Sequence, residues 1–203
     1  MRSKGLIIGV AAAALTVGIV GCSSDGDSGT GGSAAQTTAE VQLPASITPT
    51  APGTTLKLNE TAYVPIDSHD DAAGMIGVTV TNYLEGNVDD VNEASSKEQA
   101  RGEVFYVQDT ITNASDAPLP DDFELLNLGL VMPDKKPITP RISVPGLKNC
   151  DGVEAPPKQI NKGESYTSCT VVRGGSEVFA AGYEARGETE ATNYRGNPIL
   201  WKK

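Results

Sequence analysis

Histidine and cysteine are scarce in this sequence, with one histidine and three cysteines among 203 residues. That leaves little material for a zinc centre, a haem or a histidine-dependent nucleophile, so we expect no metal, no cofactor and no catalytic residues. Basic residues are also few, with sixteen lysines and arginines against twenty-six acidic residues and a net charge of −10. A nucleic-acid binder needs a basic face to neutralise phosphates, so the composition argues against nucleic acid as a partner.

The N-terminal segment has the pattern of an export signal. Arg2 and Lys4 precede an apolar run of fifteen residues, Leu6–Val20. A positive segment followed by an apolar run of this length predicts a secretory signal, because a membrane-spanning helix needs about 20 residues. We therefore predict a signal peptide over residues 1–21.

The apolar run ends in the sequence Ile19-Val20-Gly21-Cys22. This resembles the lipobox of bacterial lipoproteins, in which an aliphatic residue and two small residues precede the lipidated cysteine. The resemblance implies cleavage before Cys22, diacylglycerol on its sulfur, and attachment to the extracytoplasmic face of the cell membrane. The alternative is an uncleaved helix over residues 5–21, with Cys22 as a chance thiol at its end.

Residues 22–54 contain no aromatic side chain and are rich in Gly, Ser, Thr, Ala and Pro. Such a segment buries too little apolar area to offset the entropy lost on ordering. We predict a flexible tether over residues 22–54. All ten aromatic residues lie between Tyr63 and Trp201, so residues 55–203 are predicted to form one folded domain.

Apolar and polar residues alternate within this domain, which is typical of β-strands. In a first stretch the predicted apolar face consists of Ile76, Val78, Val80 and Leu84, with Tyr83 on the opposite face. In a second stretch the predicted apolar face consists of Phe105, Val107 and Ile111.

Further candidate strands, separated by turn sequences, span residues 123–131, 138–144, 165–173, 177–184 and 198–202. About seven to eight short strands predict an all-β, immunoglobulin-like β-sandwich. Residues 89–101 interrupt the pattern, and we predict a solvated loop there. Ser95 followed by Glu98 could cap a single helical turn in that loop.

The strand Val104–Asn113 leads into the turn Ala114–Pro118. Phe123–Leu125 and the turn Lys162-Gly163-Glu164 follow later. This pattern resembles the small immunoglobulin-like domain of many lipoproteins from Gram-positive bacteria, actinobacteria especially. The resemblance covers residues 60–185 and implies a fold without supplying catalytic residues.

Cys150 and Cys169 remain once Cys22 is assigned to lipid. In an exported protein an even pair in one domain predicts a disulfide, here closing a loop of about 20 residues and contributing about 3 kcal/mol. A redox-active pair is the alternative, although the Cys-x-x-Cys spacing that lowers a thiol pKa is missing.

Several polar residues invite a chemical interpretation. His69 lies between carboxylates in Asp67-Ser68-His69-Asp70-Asp71, and acidic pairs occur at 89–90 and 121–122. No second histidine, nucleophile elbow or calcium-loop spacing accompanies them, so we interpret them as solvated loop residues. Tyr83 and Tyr106 could bind a sugar on exposed rings, or simply pack across strands. Trp201 is predicted to pin the last strand to the core.

Three functional hypotheses follow. The leading one is a non-enzymatic envelope lipoprotein that binds or stabilises another envelope component, a protein or a glycan. A lipidated carrier would instead hold a lipid or small apolar ligand in a pocket of the sandwich. A hydrolase would require His69 within hydrogen-bond reach of a serine and a carboxylate.

Overall fold

The computed structural model describes residues 39–66, 74–94, 102–120, 127–133, 137–138, 141–142, 159–173, 177–185 and 189–203. These residues are mostly β-strands in two sheets, so the predicted all-β sandwich is confirmed. Cys22, His69, Cys150 and the acidic pair at 121–122 lie outside the described residues. Among those described, no helix has the length and apolarity that a membrane crossing requires.

The described strands, in chain order, are β1 (Ala39–Glu40), β2 (Thr55–Lys57), β3 (Thr61–Ile66), β4 (Gly74–Glu85), β5 (Val104–Asn113), β6 (Leu119–Pro120), β7 (Leu128–Val131), β8 (Pro137–Ile138), β9 (Arg141–Ile142), β10 (Gln159–Ile160), β11 (Glu164–Arg173), β12 (Ala180–Tyr183) and β13 (Ile199–Lys202). One α-helix, α1 (Val88–Ala94), and a 3-10 turn at Glu190–Thr192 complete the described elements.

Sheet A has the strand order β1-β11-β5-β4-β3, with β9 also pairing with β11, and all its pairs are antiparallel. Sheet B has the order β2-β13-β12-β7-β8. Its β2–β13 pair is parallel and the others are antiparallel. A separate two-stranded ladder joins β6 and β10.

The main hydrophobic core lies between the two sheets, because its buried side chains come from both. Sheet A contributes Ile76, Val78, Val80, Phe105, Val107, Ile111 and Val172, among others, and sheet B contributes Leu128, Leu130, Ala181, Tyr183, Ile199 and Trp201. The alternation predicted for β5 is therefore confirmed. Every second side chain of a strand faces the same way, so that pattern alone identifies the core face.

Trp201 and Tyr194 are the largest fully buried side chains of this core. The Trp201 indole N–H donates to the carbonyl of Glu60 over 2.9 Å. The Tyr194 hydroxyl donates to the carbonyl of Thr50 over 2.9 Å, and burial raises its pKa. The predicted anchoring of the last strand by Trp201 is confirmed.

The predicted faces of β4 hold only for its first half. The pairing of β4 with β5 shifts by one residue between Val80 and Asn82, which is a β-bulge. Because the extra residue reverses the alternation, Tyr83 enters the core at 7% exposure. Leu84 joins a cluster on the outer face of sheet A. The sequence-based placement of Tyr83 and Leu84 was wrong for this reason.

A second, smaller cluster lies on that outer face, beneath α1. It consists of Val91, Val104, Tyr106 and Val171, with Leu84, Val88 and Cys169 packed against it. The backbone N–H of Asp89 donates to the side-chain oxygen of Asn87 over 3.0 Å, so Asn87 caps the helix. The helix therefore begins before the loop expected over 89–101. Ser95 and Glu98 lie outside the described residues.

Part of the expected tether pairs with the sandwich instead. Strand β1 adds to the edge of β11, and the N–H of Val41 donates to the carbonyl of Gly163 over 2.7 Å. The backbone N–H of Thr50 donates to the backbone carbonyl of Tyr63, and the backbone N–H of Tyr63 donates to the Thr50 hydroxyl. Residues 39–54 therefore differ from the flexible tether predicted for them. Composition could not show this, because backbone hydrogen bonds of this kind require no large side chain.

Asn113 holds the end of the sandwich where β5 stops. Its side chain is fully buried, and its amide nitrogen donates to the carbonyls of Ala117, over 2.8 Å, and Ile160, over 2.9 Å. Its side-chain oxygen accepts the N–H of Ser115 over 2.8 Å. One amide therefore ties β5 both to the segment leading into β6 and to β10.

The turn before β11 lies at this same end. Gly163 has a φ of +82°, which suits glycine and agrees with the predicted turn. Next to it, the Lys162 ammonium lies 2.6 Å from the Asp116 carboxylate. The hydrogen bond and positive charge of Lys162 lower the pKa of that carboxyl. Because both side chains are exposed, solvent screens the pair, which adds little stability.

Candidate functional site

A groove of about 440 Å³ opens between the two sheets at the opposite end of the sandwich. We call it the end groove. It is lined by Tyr83, Leu84, Glu85 and Phe105 from sheet A, and by Val178, Phe179, Lys202 and Lys203 from the sheet B side. The end of β4, the start of β5, the entry to β12 and the end of β13 therefore meet there.

Somewhat more than half of the wall surface of the end groove is apolar, and part of that apolar surface faces water. Phe179 is 37% exposed, and among the described residues Val41 is the other large exposed hydrophobic side chain, at 42%. Val178 is partly buried against the main core, and Phe105 is 9% exposed. An exposed aromatic ring beside an apolar groove marks a surface that can bind a ligand.

Two lysines flank the mouth of the groove. The Lys202 ammonium lies 4.0 Å from the centre of the Phe179 ring, and the Lys203 ammonium lies 4.8 Å from that of Tyr83. These are cation–π contacts, worth about 0.5–1 kcal/mol at an exposed site. Within the described part of the chain, neither ammonium forms an ion pair. Both ammonium groups lie at the mouth of the groove, beside its aromatic rings.

The charge of the groove contrasts with that of the chain. Its charged lining side chains are those of Lys202, Lys203 and Glu85, two cations and one anion. The whole chain carries −10. The two consecutive lysines after an apolar strand were visible in the sequence, but the aromatic rings beneath them are set by the sheet register. Sequence reasoning therefore missed this site.

The end groove lies far from the point where the chain joins sheet A. Ala39 pairs with Ser165, and Ser165 pairs with Thr112 on β5. The groove residue Phe105 lies seven positions earlier on the same strand, opposite Glu85. At about 3.3 Å per residue, Phe105 and Thr112 are about 23 Å apart along β5. The groove thus faces away from the entry of the chain.

Comparison with known proteins gives one structural likeness. No family model matches the chain, and no curated protein matches it. The 1.5 Å crystal structure of MPT63, a secreted protein from Mycobacterium tuberculosis, is similar to it, with a TM-score of 0.48 and 12% sequence identity. The match covers 78% of this chain and 100% of that one.

Tyr83 and Tyr106, the two candidate sugar-binding rings of the sequence, are buried. Tyr83 is 7% exposed and Tyr106 is fully buried beneath α1, so both rings pack inside the protein. The Tyr106 hydroxyl lies 3.4 Å from the carbonyl of Asn87. The exposed ring at the candidate site is Phe179 instead.

The structure places the remaining predicted residues as follows. Cys169 lies on β11, partly buried against the outer cluster. Its partner Cys150 lies outside the described residues, so the disulfide stays a prediction, as does lipidation of Cys22. Asp89 and Asp90 lie in the first turn of α1, where carboxylates interact favourably with the helix dipole. In the described ranges, no three His, Cys, Asp or Glu side chains converge as a metal site would require.

Proposed function

We propose that this chain is a non-enzymatic binding module, anchored by lipid on Cys22 to the extracytoplasmic face of a bacterial cell membrane. The observation that carries this proposal is the end groove, with its half-exposed Phe179 and two lysines, about 23 Å from the entry of the chain. A module attached at one end and carrying an apolar groove at the other can present that groove to an envelope component, a protein or a glycan.

The groove chemistry favours binding over catalysis. Its ionisable side chains are those of Tyr83, Glu85, Lys202 and Lys203. They include one carboxylate, and the lining residues include no histidine, serine or cysteine. Nucleophilic catalysis needs a nucleophile within hydrogen-bond reach of a base, and paired acid–base catalysis needs two groups of different pKa. The lining residues supply neither arrangement.

The packing argues against a carrier with its ligand deep between the sheets. Fully buried side chains, Trp201, Tyr194, Ile199 and Leu128 among them, fill the described core between the sheets. A ligand lying between the sheets would have to displace these side chains. The end groove, by contrast, is open to solvent, so a ligand reaches it without unpacking the core.

Site-specific photo-crosslinking in intact cells tests the proposal. A photoreactive phenylalanine analogue at Phe179 is expected to yield crosslinked envelope components several-fold above the same analogue at Val41. Val41 is a matched control, because it is similarly exposed and lies near the entry of the chain. Equal crosslinking at the two positions would show that the end groove is not the binding surface.

The anchor is tested separately through Cys22. We expect Cys22→Ser to release the protein from membranes or to leave an uncut precursor, because the substitution removes every acyl chain at once. Fractionation and mass spectrometry of the mature protein measure this. A Cys22→Ser protein with wild-type mass and wild-type membrane association would contradict lipidation.

A disulfide between Cys150 and Cys169 is part of the same proposal, since an extracytoplasmic domain meets an oxidising compartment. Cys169 lies on β11 beside Thr170 and Val171, which are both buried. A bond at this position would fasten residue 150 to a central strand of sheet A.

A further inference from the structure

We propose that the end groove binds a single-chain fatty carboxylate, with its aliphatic chain along the apolar walls and its carboxylate at Lys202 and Lys203. The proposal rests on the function proposed above and names the ligand class of that site. Three properties of the groove carry it: the hydrogen-bonding capacity of its lining, its charge and its size.

The lining offers almost no neutral hydrogen-bonding side chains. Apart from the three charged residues and the Tyr83 hydroxyl, the side chains at the groove are those of Phe105, Val178 and Phe179, since the Leu84 side chain packs on the outer face of sheet A. A peptide or a glycan would bring amides or hydroxyls into this space, and each buried polar group without a partner costs free energy. An aliphatic chain brings none. The lining therefore fits a hydrocarbon better than a peptide or a sugar.

The mouth of the groove fits one negative charge. Both lysine ammonium groups rest on aromatic rings, and hydrogen bonds from an ammonium to a carboxylate are stronger than such contacts at an exposed site. Glu85 lies on the same groove and repels a second negative charge. Among the side chains at the mouth the two cations outnumber the one anion, which favours a singly charged carboxylate over a doubly charged phosphate.

The size of the groove fits a single chain. Its volume of about 440 Å³ falls within the range of pockets that hold small ligands, about 300–1,000 Å³. Phe105, at 9% exposure, lies at the deep side, and the two lysines lie at the rim, with Lys203 the more exposed. The hydrocarbon therefore points inward, and the carboxylate stays at the solvent boundary.

Photoaffinity labelling of the full lipidated chain in phosphatidylcholine vesicles tests this inference. The probe is decanoate carrying a diazirine near its methyl end, and the labelled peptides are identified by mass spectrometry. We expect labelling of residues that line the end groove and competition by unlabelled decanoate. Competitor potency is expected to rise about two- to fourfold per added methylene from octanoate to decanoate, because each one buries further apolar area. Decyl maltoside, of equal chain length but uncharged, is expected to compete at least fivefold more weakly.

Substitutions separate the charge from the apolar surface. The double variant Lys202→Gln, Lys203→Gln is expected to lower labelling at least fivefold, whereas Arg195→Gln, an exposed cation elsewhere on the chain, leaves it unchanged. Phe179→Ala is expected to weaken decanoate and decyl maltoside alike, and Val41→Ala to weaken neither. These four variants alter exposed or half-exposed side chains, so folding is retained, and circular dichroism checks it.

Several outcomes would overturn the inference. These are labelling outside the groove, labelling unaffected by the double lysine variant, equal competition by decyl maltoside, and stronger competition by decyl phosphate than by decanoate. A protein crosslinked through position 179 in cells, together with no decanoate labelling, would overturn the fatty carboxylate and leave the proposed binding module intact. Equal crosslinking at 179 and 41 would instead remove the proposed function.

Discussion

Trp201→Ala is expected to lower the free energy of unfolding by about 4 kcal/mol, as for other fully buried large side chains. Trp201 is not exposed to solvent and lies on β13, between β2 and β12. The substitution opens a cavity between the sheets and leaves the carbonyl of Glu60 without its indole donor. Denaturant unfolding followed by far-ultraviolet circular dichroism measures the change.

Trp201→Phe is the matched control for this prediction. It keeps an aromatic ring in the core but removes the N–H that donates to Glu60. We expect it to lower the free energy of unfolding by about 1–2 kcal/mol, since one part-buried hydrogen bond is lost while most of the apolar contact remains. If Trp201→Ala lowers the free energy of unfolding no more than Trp201→Phe does, the aromatic ring does not anchor sheet B.

Asn113→Ala is expected to cost about 3 kcal/mol, because one fully buried side chain makes three hydrogen bonds to the backbone. Its removal leaves two carbonyls and one N–H without that partner, at the end where β5, β6 and β10 meet. The same unfolding measurement applies, and amide hydrogen exchange is expected to rise first at Ser115 and in β10.

The control is Asn161→Ala, which alters an exposed asparagine in the adjacent turn. The Asn161 side chain bonds the carboxylate of Glu164 over 2.9 Å at the surface, so we expect a loss within about 0.5 kcal/mol. Equal losses at positions 113 and 161 would contradict the role assigned to Asn113.

The β-sandwich could be predicted from the sequence because apolar and polar residues alternate along its strands, which identifies both the strands and their core-facing side. Phe105, Val107 and Ile111 identify the core face of β5 without any knowledge of its neighbours. The bulge in β4 could not be predicted this way. Thr81 is as acceptable in a regular strand as in a bulge, and only the pairing with β5 shows that Tyr83 faces inward.

The candidate site was harder to predict because it joins distant parts of the chain. The Lys203 ammonium rests on Tyr83, and the Lys202 ammonium rests on Phe179. Neither contact can be inferred from the spacing of these residues in the sequence. Each depends on where the strands of the two sheets end in the folded protein. Residues 39–54 were misassigned for a related reason: their composition is that of a linker, and their order comes from edge pairing with β11 and β3.

The position of β13 also has a consequence for the time at which the domain folds. Sheet B cannot close until residues 199–202 are available, because β13 separates β2 from β12. The bond from Trp201 to Glu60 joins groups 141 residues apart in the chain. Contacts of such long range slow folding, and no early portion of the sequence supplies a substitute for them. A nascent chain of this protein therefore emerges from the ribosome without a finished sheet B.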